Sequence, residues 1–252
     1  MPLTAPHITT KLIAACALIC WATGVFAQSN QCSITSGTTV TPVVELYTSE
    51  GCSSCPPADK WASSLKGASA SGGAVVQAFH VGYWDHIGWV DRFAAPAYTQ
   101  RQQGIAAKNN LRGIYTPQAV LDGKDWPRWG GQPTSSEPAR ANIVLRQLGP
   151  DHFEASVTPT ASANWSAYWT VTEHGHTSKV QAGENKGEFL KHDFVVRQLV
   201  QAGQYQAGDG AVQKLSFRSI AATPGHARQV NLVVFDEKTG KPLQALSLQC
   251  AV

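Results

Sequence analysis

The chain has 252 residues, 43% of them apolar, and a formal net charge of +3. A balance so close to neutral gives no basic surface for nucleic acid, and no run of like charges predicts an interaction tail. Sequence motifs of hydrolases, nucleotide-binding proteins and helical zinc sites do not occur. The composition therefore predicts an ordinary globular protein.

Residues 1–27 are predicted to be a secretory signal peptide. Lys11 precedes an apolar run over residues 12–22, and Val25-Phe-Ala27 is typical of a cleavage site. The alternative is a lipoprotein signal ending at Cys16, which leaves almost no apolar stretch before the cysteine. The run is too short to span a bilayer comfortably, and nothing later in the sequence resembles a membrane helix. We therefore predict no membrane span after cleavage and a periplasmic or secreted protein.

Residues 28–131 are predicted to form an α/β domain. In chain order we expect a strand over 43–47, a helix over 58–65, a strand over 74–80, a helix over 96–109 and a strand over 118–121. This alternation of strands and helices is typical of an α/β layer architecture.

Residues 132–252 have a different pattern, in which apolar and polar residues alternate. Strands are expected over 153–157, 167–171, 195–199, 214–217, 230–235 and 243–248. Short strands at this spacing predict a smaller all-β antiparallel, sandwich-like domain.

Four cysteines remain after signal cleavage. Disulfides persist in oxidising compartments, and four cysteines allow three pairings. Cys52 and Cys55 are already neighbours, so we expect these two to pair and Cys32 to pair with Cys250.

The Cys52-Ser-Ser-Cys55 motif lies between a predicted strand and a predicted helix. The start of a helix lowers a thiol pKa through its dipole and its unpaired N–H groups. Cys52 is thus the candidate nucleophile and Cys55 the candidate resolving thiol. Two alternatives stay open: a structural disulfide, or half of a zinc site, which needs two further Cys or His ligands.

Thr116-Pro117 stands directly before the strand at 118–121. The stretch from Arg112 to Gly123 resembles the loop of the thioredoxin superfamily in which a cis-proline faces the Cys-x-x-Cys motif. The resemblance implies a thioredoxin-like fold and a role for Thr116 and Pro117 in shaping a groove for a partner peptide. The alternative is an ordinary trans-proline turn.

Longer stretches resemble one exported family of that superfamily, domain of unknown function 1223. The residues that carry the resemblance are 44–59, 78–85 and 115–118, together with 183–187 and 192–197. Membership implies an α/β thioredoxin-like domain but no defined reaction.

Two polar groupings complete the candidate sites. His80, Asp85 and His86, with Asp91 nearby, are a candidate secondary site that could bind a metal or tune the thiols, although a packed aromatic loop is the favoured interpretation and no metal is predicted. The second grouping is a predicted hydrogen-bonded network between the two domains, formed by Glu184, His192, Asp193 and Arg197.

The leading functional hypothesis is an exported thiol–disulfide oxidoreductase without a cofactor, acting on exported proteins that carry thiols or disulfides. The alternatives are a non-enzymatic binding module in which the Cys52–Cys55 disulfide is permanent, and metal handling through the two thiols, with copper as the candidate metal. A thioredoxin-like domain by itself does not decide among these functions.

Overall fold

The computed structural model describes residues 1–4, 32–160, 163–206, 208 and 210–250. Most of the predicted signal peptide, and its cleavage site, lie outside the described residues. The chain divides into two compact units, Met1–Asn30 and Gln31–Val252, and every helix and strand below belongs to the second. In the described part of the chain, no helix is long and apolar enough to cross a membrane.

The helices of the described residues are α1 (Pro56–Ser64), α2 (Lys66–Ala70) and α3 (Pro96–Lys108), with a 3₁₀ helix at Gly82–Ile87. The strands are β1 (Ser33–Thr35), β2 (Val43–Thr48), β3 (Val75–His80), β4 (Gln118–Leu121), β5 (Lys124–Asp125), β6 (Ala141–Gly149), β7 (His152–Pro159), β8 (Trp165–Glu173), β9 (His176–Lys179), β10 (Phe189–His192), β11 (Val195–Tyr205), β12 (Gln213–Arg218), β13 (Arg228–Asp236) and β14 (Pro242–Leu248).

Eight strands form the main sheet in the order β14-β13-β8-β11-β3-β2-β4-β5. The β2–β3 and β3–β11 pairs are parallel, and the other pairs in this sheet are antiparallel. A second sheet has the order β1-β6-β7-β12, and β9 and β10 form a separate pair.

Burial along the strands follows from what covers them. β2 and β3 are buried along their whole length because α1 packs on one face of this pair and α3 on the other. Alternate residues of β7 are buried, as expected for a strand with one face on a core. That core lies between the four-stranded sheet and β8, β13 and β14, and contains Trp165, Trp169, Phe153 and Phe217.

The predicted fold class is wrong. Strands hold 41% of the described residues and helices 15%, so the protein is mainly β and not an α/β thioredoxin-like domain followed by a smaller sandwich. The predicted boundary at residue 131 falls within one compact unit, because strands from both sides of it share the main sheet.

The physical reason lies at the edge of β3. An open strand edge presents unpaired N–H and C=O groups that require partners. β11 supplies them: Val195 lies opposite Ala78 in a parallel pair, and Ala78 N donates to Phe194 O at 2.8 Å. The second half of the chain therefore extends the first half's sheet instead of closing on itself.

Candidate functional site

The Cys52-Ser-Ser-Cys55 motif occupies the turn between β2 and α1. The two cysteines form a disulfide with their Cα atoms 5.5 Å apart, and Cys55 is the N-cap of α1. The turn is closed by Cys55 N, which donates to Cys52 O at 3.2 Å. Cys52 is 1% exposed and Cys55 0%, whereas Ser53 and Ser54 between them face solvent.

A segment from the second half of the chain holds this turn. Asn185 Nδ2 donates to Glu50 O at 2.9 Å and to Cys52 O at 3.0 Å. Ser53 N donates to the Glu184 carboxylate at 3.0 Å, and this hydrogen bond lowers the pKa of Glu184. The turn is therefore fixed by contacts more than 130 residues distant in sequence, as the separations of 131 to 135 show.

Trp84 connects Thr116 to the cysteine turn. The Thr116–Pro117 peptide is cis. Trp84 Nε1 donates to Thr116 Oγ1 at 2.7 Å, and a Cβ at Gly51 would come within 2.9 Å of Trp84 Cβ. Trp84 thus lies between the cysteine turn and Thr116, and only glycine allows its close approach to residue 51.

Buried charges surround the cysteine turn. His192 is 2% exposed, with Nε2 3.3 Å from Glu50 Oε1 and Nδ1 3.6 Å from Asp59 Oδ2. Burial alone lowers the pKa of His192, but the two carboxylates outweigh it and raise the pKa to about 9. His192 is therefore a buried cation at neutral pH.

Asp91 joins this group from the loop after β3. It accepts hydrogen bonds from Glu50 N at 2.9 Å and from Phe93 N at 2.9 Å, and its Oδ2 lies 2.6 Å from His80 Nδ1. Burial raises the pKa of Asp91, but the charge and hydrogen bond of His80 and these backbone N–H groups leave it below its usual value. The His80 and His192 rings meet edge to face, with centroids 4.9 Å apart.

We refer to Glu50, Asp59, His80, Asp91 and His192 as the buried acid–base cluster. Burial raises the pKa of Glu50, yet its contacts with His192 and Ser178 and a hydrogen bond of 2.7 Å from Trp89 bring the pKa below its usual value. The buried Glu50 and His192 thus both favour their charged forms.

The three predicted secondary-site residues have different hydrogen-bond partners, although His80 and Asp85 both contact Asp91. His80 is buried in the cluster, and Asp85 instead accepts a hydrogen bond from Asp91 N at 3.1 Å. His86 is exposed, with Nδ1 2.8 Å from Tyr83 O. Among the described residues, no group of three or more His, Cys, Asp or Glu side chains is arranged to hold a metal ion.

The predicted network of four polar residues is also divided among different partners. Asp193 pairs with Lys66 at 2.7 Å, and Arg197 pairs with Glu173 at 3.0 Å. His192 alone of the four enters the acid–base cluster, while Glu184 binds the cysteine turn directly.

Sequence reasoning overlooked Glu50 and Asp59 as functional candidates. A signal was present: one acid stands two residues before Cys52 and the other four residues after Cys55. The second spacing places Asp59 one turn along α1, on the same side of the helix as its N-cap.

The other disulfide has different surroundings. Cys32 and Cys250 are bonded with Cα atoms 5.9 Å apart, and both pack against the apolar core between the two sheets. This bridge joins positions 218 residues apart.

Fold and site together define a mainly β protein in which a Cys-Ser-Ser-Cys disulfide adjoins a buried acid–base cluster. Residues 43–235 match the family described as "Protein of unknown function (DUF1223)". The chain belongs to this family.

The crystal structure of protein AGR_C_4864 from Agrobacterium tumefaciens is similar to this structure, with a TM-score of 0.62. The two chains are 23% identical, and the match covers 85% of this chain and 96% of the other. At this level of identity the likeness shows a shared fold alone. No curated protein matches the chain.

Proposed function

We propose that this protein exchanges disulfides with exported proteins, using Cys52 as the nucleophile and Cys55 as the resolving thiol. The observation that carries the proposal is the buried acid–base cluster beside the motif. Burying charges costs free energy, and ionisable groups with shifted pKa values concentrate at functional sites. A permanent disulfide requires no such group.

The exchange proceeds in two balanced steps. The Cys52 thiolate attacks one sulfur of a partner disulfide, so that a mixed disulfide forms and the second partner sulfur leaves as a thiolate. The Cys55 thiolate then attacks Cys52 Sγ, forming the Cys52–Cys55 bond and releasing the first partner sulfur. The pair loses two electrons and the partner gains two; the reverse sequence oxidises the partner.

The cluster has two roles in this proposal. The start of α1 favours negative charge at the motif and so lowers the pKa of the Cys52 thiol in the reduced protein, while His192 offsets the negative charges of Glu50 and Asp59. Asp59 shares its side of α1 with Cys55 and accepts the Cys55 proton, which leaves Cys55 as the thiolate that attacks Cys52 Sγ.

A location outside the cytoplasm suits this chemistry. The chain carries two disulfides, which are typical of oxidising compartments, and its first 27 residues have the pattern of an export signal.

The burial of both sulfurs favours a second candidate function, a non-enzymatic binding module in which Cys52–Cys55 is a permanent staple. Cys52 and Cys55 are almost inaccessible, at 1% and 0% exposure. In the exchange proposal, the turn opens by releasing Asn185 before a partner is attacked.

Trapping and potential measurements separate the two functions. In the Cys55→Ser variant, oxidised glutathione is expected to form a stable mixed disulfide at Cys52, detected by intact mass, while the matched Cys52→Ser variant forms far less adduct at Cys55. The reduction potential of the Cys52–Cys55 disulfide is expected to lie above about −300 mV, as it does for disulfides that are readily reduced. A reduction potential far below that value, together with no glutathione adduct at Cys52, would instead show that Cys52–Cys55 is a permanent structural disulfide.

A further inference from the structure

A cavity of about 480 Å³ lies beside α3, lined by none of the residues of the acid–base cluster. Its floor is an apolar patch of the main sheet that we call the open patch: Val43, Tyr168, Leu199, Val233 and Phe235. Leu199 also packs against the apolar residues that lie between α3 and the main sheet, so the open patch is continuous with the apolar surface that this helix covers. α3 therefore leaves part of the apolar face of the main sheet uncovered, and this part is the floor of the cavity.

One side of α3 forms another wall. Ala97, Arg101, Gly104 and Lys108 line the cavity at spacings that place them on one helical face. Gly104 has no side chain to fill this space, and a Cβ at this position would meet nothing within 4 Å. The cavity volume falls in the range of about 300–1,000 Å³ that is usual for small-molecule sites.

Two charged residues in the cavity lining, Arg101 and Glu45, form an ion pair with each other. Arg101 binds Glu45 with two hydrogen bonds of 2.8 and 2.7 Å, and the hydroxyls of Tyr47 and Tyr168 donate to the same carboxylate at 2.7 and 3.3 Å. Burial raises the pKa of Glu45, but the Arg101 charge outweighs it and leaves the pKa below its usual value. This pair is ionised and neutral as a whole.

Lys108 is different. Its Nζ lies 3.4 Å from the backbone oxygen of Glu237, and no carboxylate of the described residues lies within 4.0 Å of it. The remaining polar lining side chains, Gln100 and Gln201, carry no charge. The cavity thus combines an apolar floor with one positive charge, that of Lys108, which lies at its exposed edge and forms no ion pair among the described residues.

We propose that this cavity binds a small amphipathic carboxylate, whose apolar body lies on the open patch and whose carboxylate pairs with Lys108. An anion with an apolar body matches both parts of the lining, and the pair gains a charge-assisted hydrogen bond. A neighbouring cavity of about 520 Å³ is also lined by Lys108, Gln201 and Phe235, and in addition by Glu237. Lys108 therefore lies where the two cavities meet, and the acidic Glu237 disfavours an anion in the second cavity but does not line the first. The proposal does not depend on thiol chemistry.

Calorimetric titration with octanoate, decanoate, decanol and decyltrimethylammonium tests the proposal. We expect saturable binding of one decanoate per chain. Each buried methylene strengthens binding about fourfold, which gives decanoate about a fifteenfold advantage over octanoate. Lys108→Gln is expected to weaken decanoate binding about fivefold and leave decanol binding unchanged.

Gly104 supplies the matched pair of variants that locates the ligand. Gly104→Leu places a side chain into open space at the cavity wall and is expected to abolish binding, whereas Gly104→Ala keeps it. The Cys52→Ser, Cys55→Ser double variant should bind decanoate as the parent does. Unsaturable binding, equal affinity for decyltrimethylammonium, or unchanged binding in Gly104→Leu would overturn the proposal.

Discussion

The two disulfides of this protein are the same bond in opposite surroundings. Cys32–Cys250 is half-buried against an apolar core, whereas Cys52–Cys55 is fully buried beside ionised groups. Solvent exposure alone predicts that Cys32–Cys250 is the more reactive disulfide. The exchange proposal expects the reverse, because thiol chemistry requires that a thiolate be stabilised and protons be accepted.

The bridges also differ in what they do for the unfolded chain. A disulfide that closes a long loop removes more entropy from the unfolded ensemble than one that closes a short loop. The Cys32–Cys250 bridge spans 218 residues and the Cys52–Cys55 bridge three. Stability should therefore depend on the first, and redox behaviour on the second.

Removing the Cys32–Cys250 bridge should cost more stability than removing Cys52–Cys55. Replacing Cys32 and Cys250 by alanine is expected to lower the free energy of unfolding by about 5 kcal/mol in the chain-entropy model, against about 2 kcal/mol for replacing Cys52 and Cys55. Urea unfolding of the two double variants measures both values. Equal losses would show that loop closure does not distinguish the bridges.

The charge of His192 beside the Cys52–Cys55 turn should make the stability of the protein depend on pH. His192 has a folded-state pKa of about 9, above the usual 6.5 of an unfolded histidine. Its contribution to stability, about 3 kcal/mol, is thus fully present below pH 6.5 and is lost as the pH rises through 9.

His192→Gln should remove that slope and lower stability at pH 6, since Glu50 and Asp59 lose their buried cation. His86→Gln is the control, because His86 is exposed and lies outside the cluster. Unfolding free energies measured from pH 6 to 10 decide the question. A slope that persists in His192→Gln would assign it to another group.

Local elements of this protein could be predicted from the sequence, while their assembly could not. The apolar run at 43–47 and the proline-started helix at 96–109 correspond to β2 at Val43–Thr48 and α3 at Pro96–Lys108. Both signals are contained in a few neighbouring residues. The addition of β11 to the edge of β3 is not, since it depends on which distant edges meet.

The same limit applies to the candidate site. His80 and Asp91 are close in sequence and were grouped, and their side chains do meet. His192 reaches Glu50 and Asp59 only because β10 packs against α1. A single sequence indicates the residue types of such a cluster but carries no information on contacts over this separation.

Hydrogen bonds to the cysteine turn should control how often reagents reach the buried Cys52–Cys55 disulfide. Asn185 makes two hydrogen bonds to the backbone of the cysteine turn, and Ser53 makes a further one to Glu184. Asn185→Ala should destabilise the closed turn by about 1–2 kcal/mol, so the disulfide becomes accessible more often. The rate of Cys52–Cys55 reduction by dithiothreitol, followed by thiol alkylation and mass spectrometry, is expected to rise roughly tenfold.

Glu184→Gln is the matched variant, because its amide oxygen can still accept the hydrogen bond from Ser53, and it should react at nearly the parent rate. The Cys32–Cys250 bridge in the same sample is an internal reference, since Asn185 makes no hydrogen bond to it. If both bridges accelerate together in Asn185→Ala, the variant has loosened the whole fold. If neither accelerates, opening of the turn does not limit access to Cys52, and the gating role assigned to Asn185 is wrong.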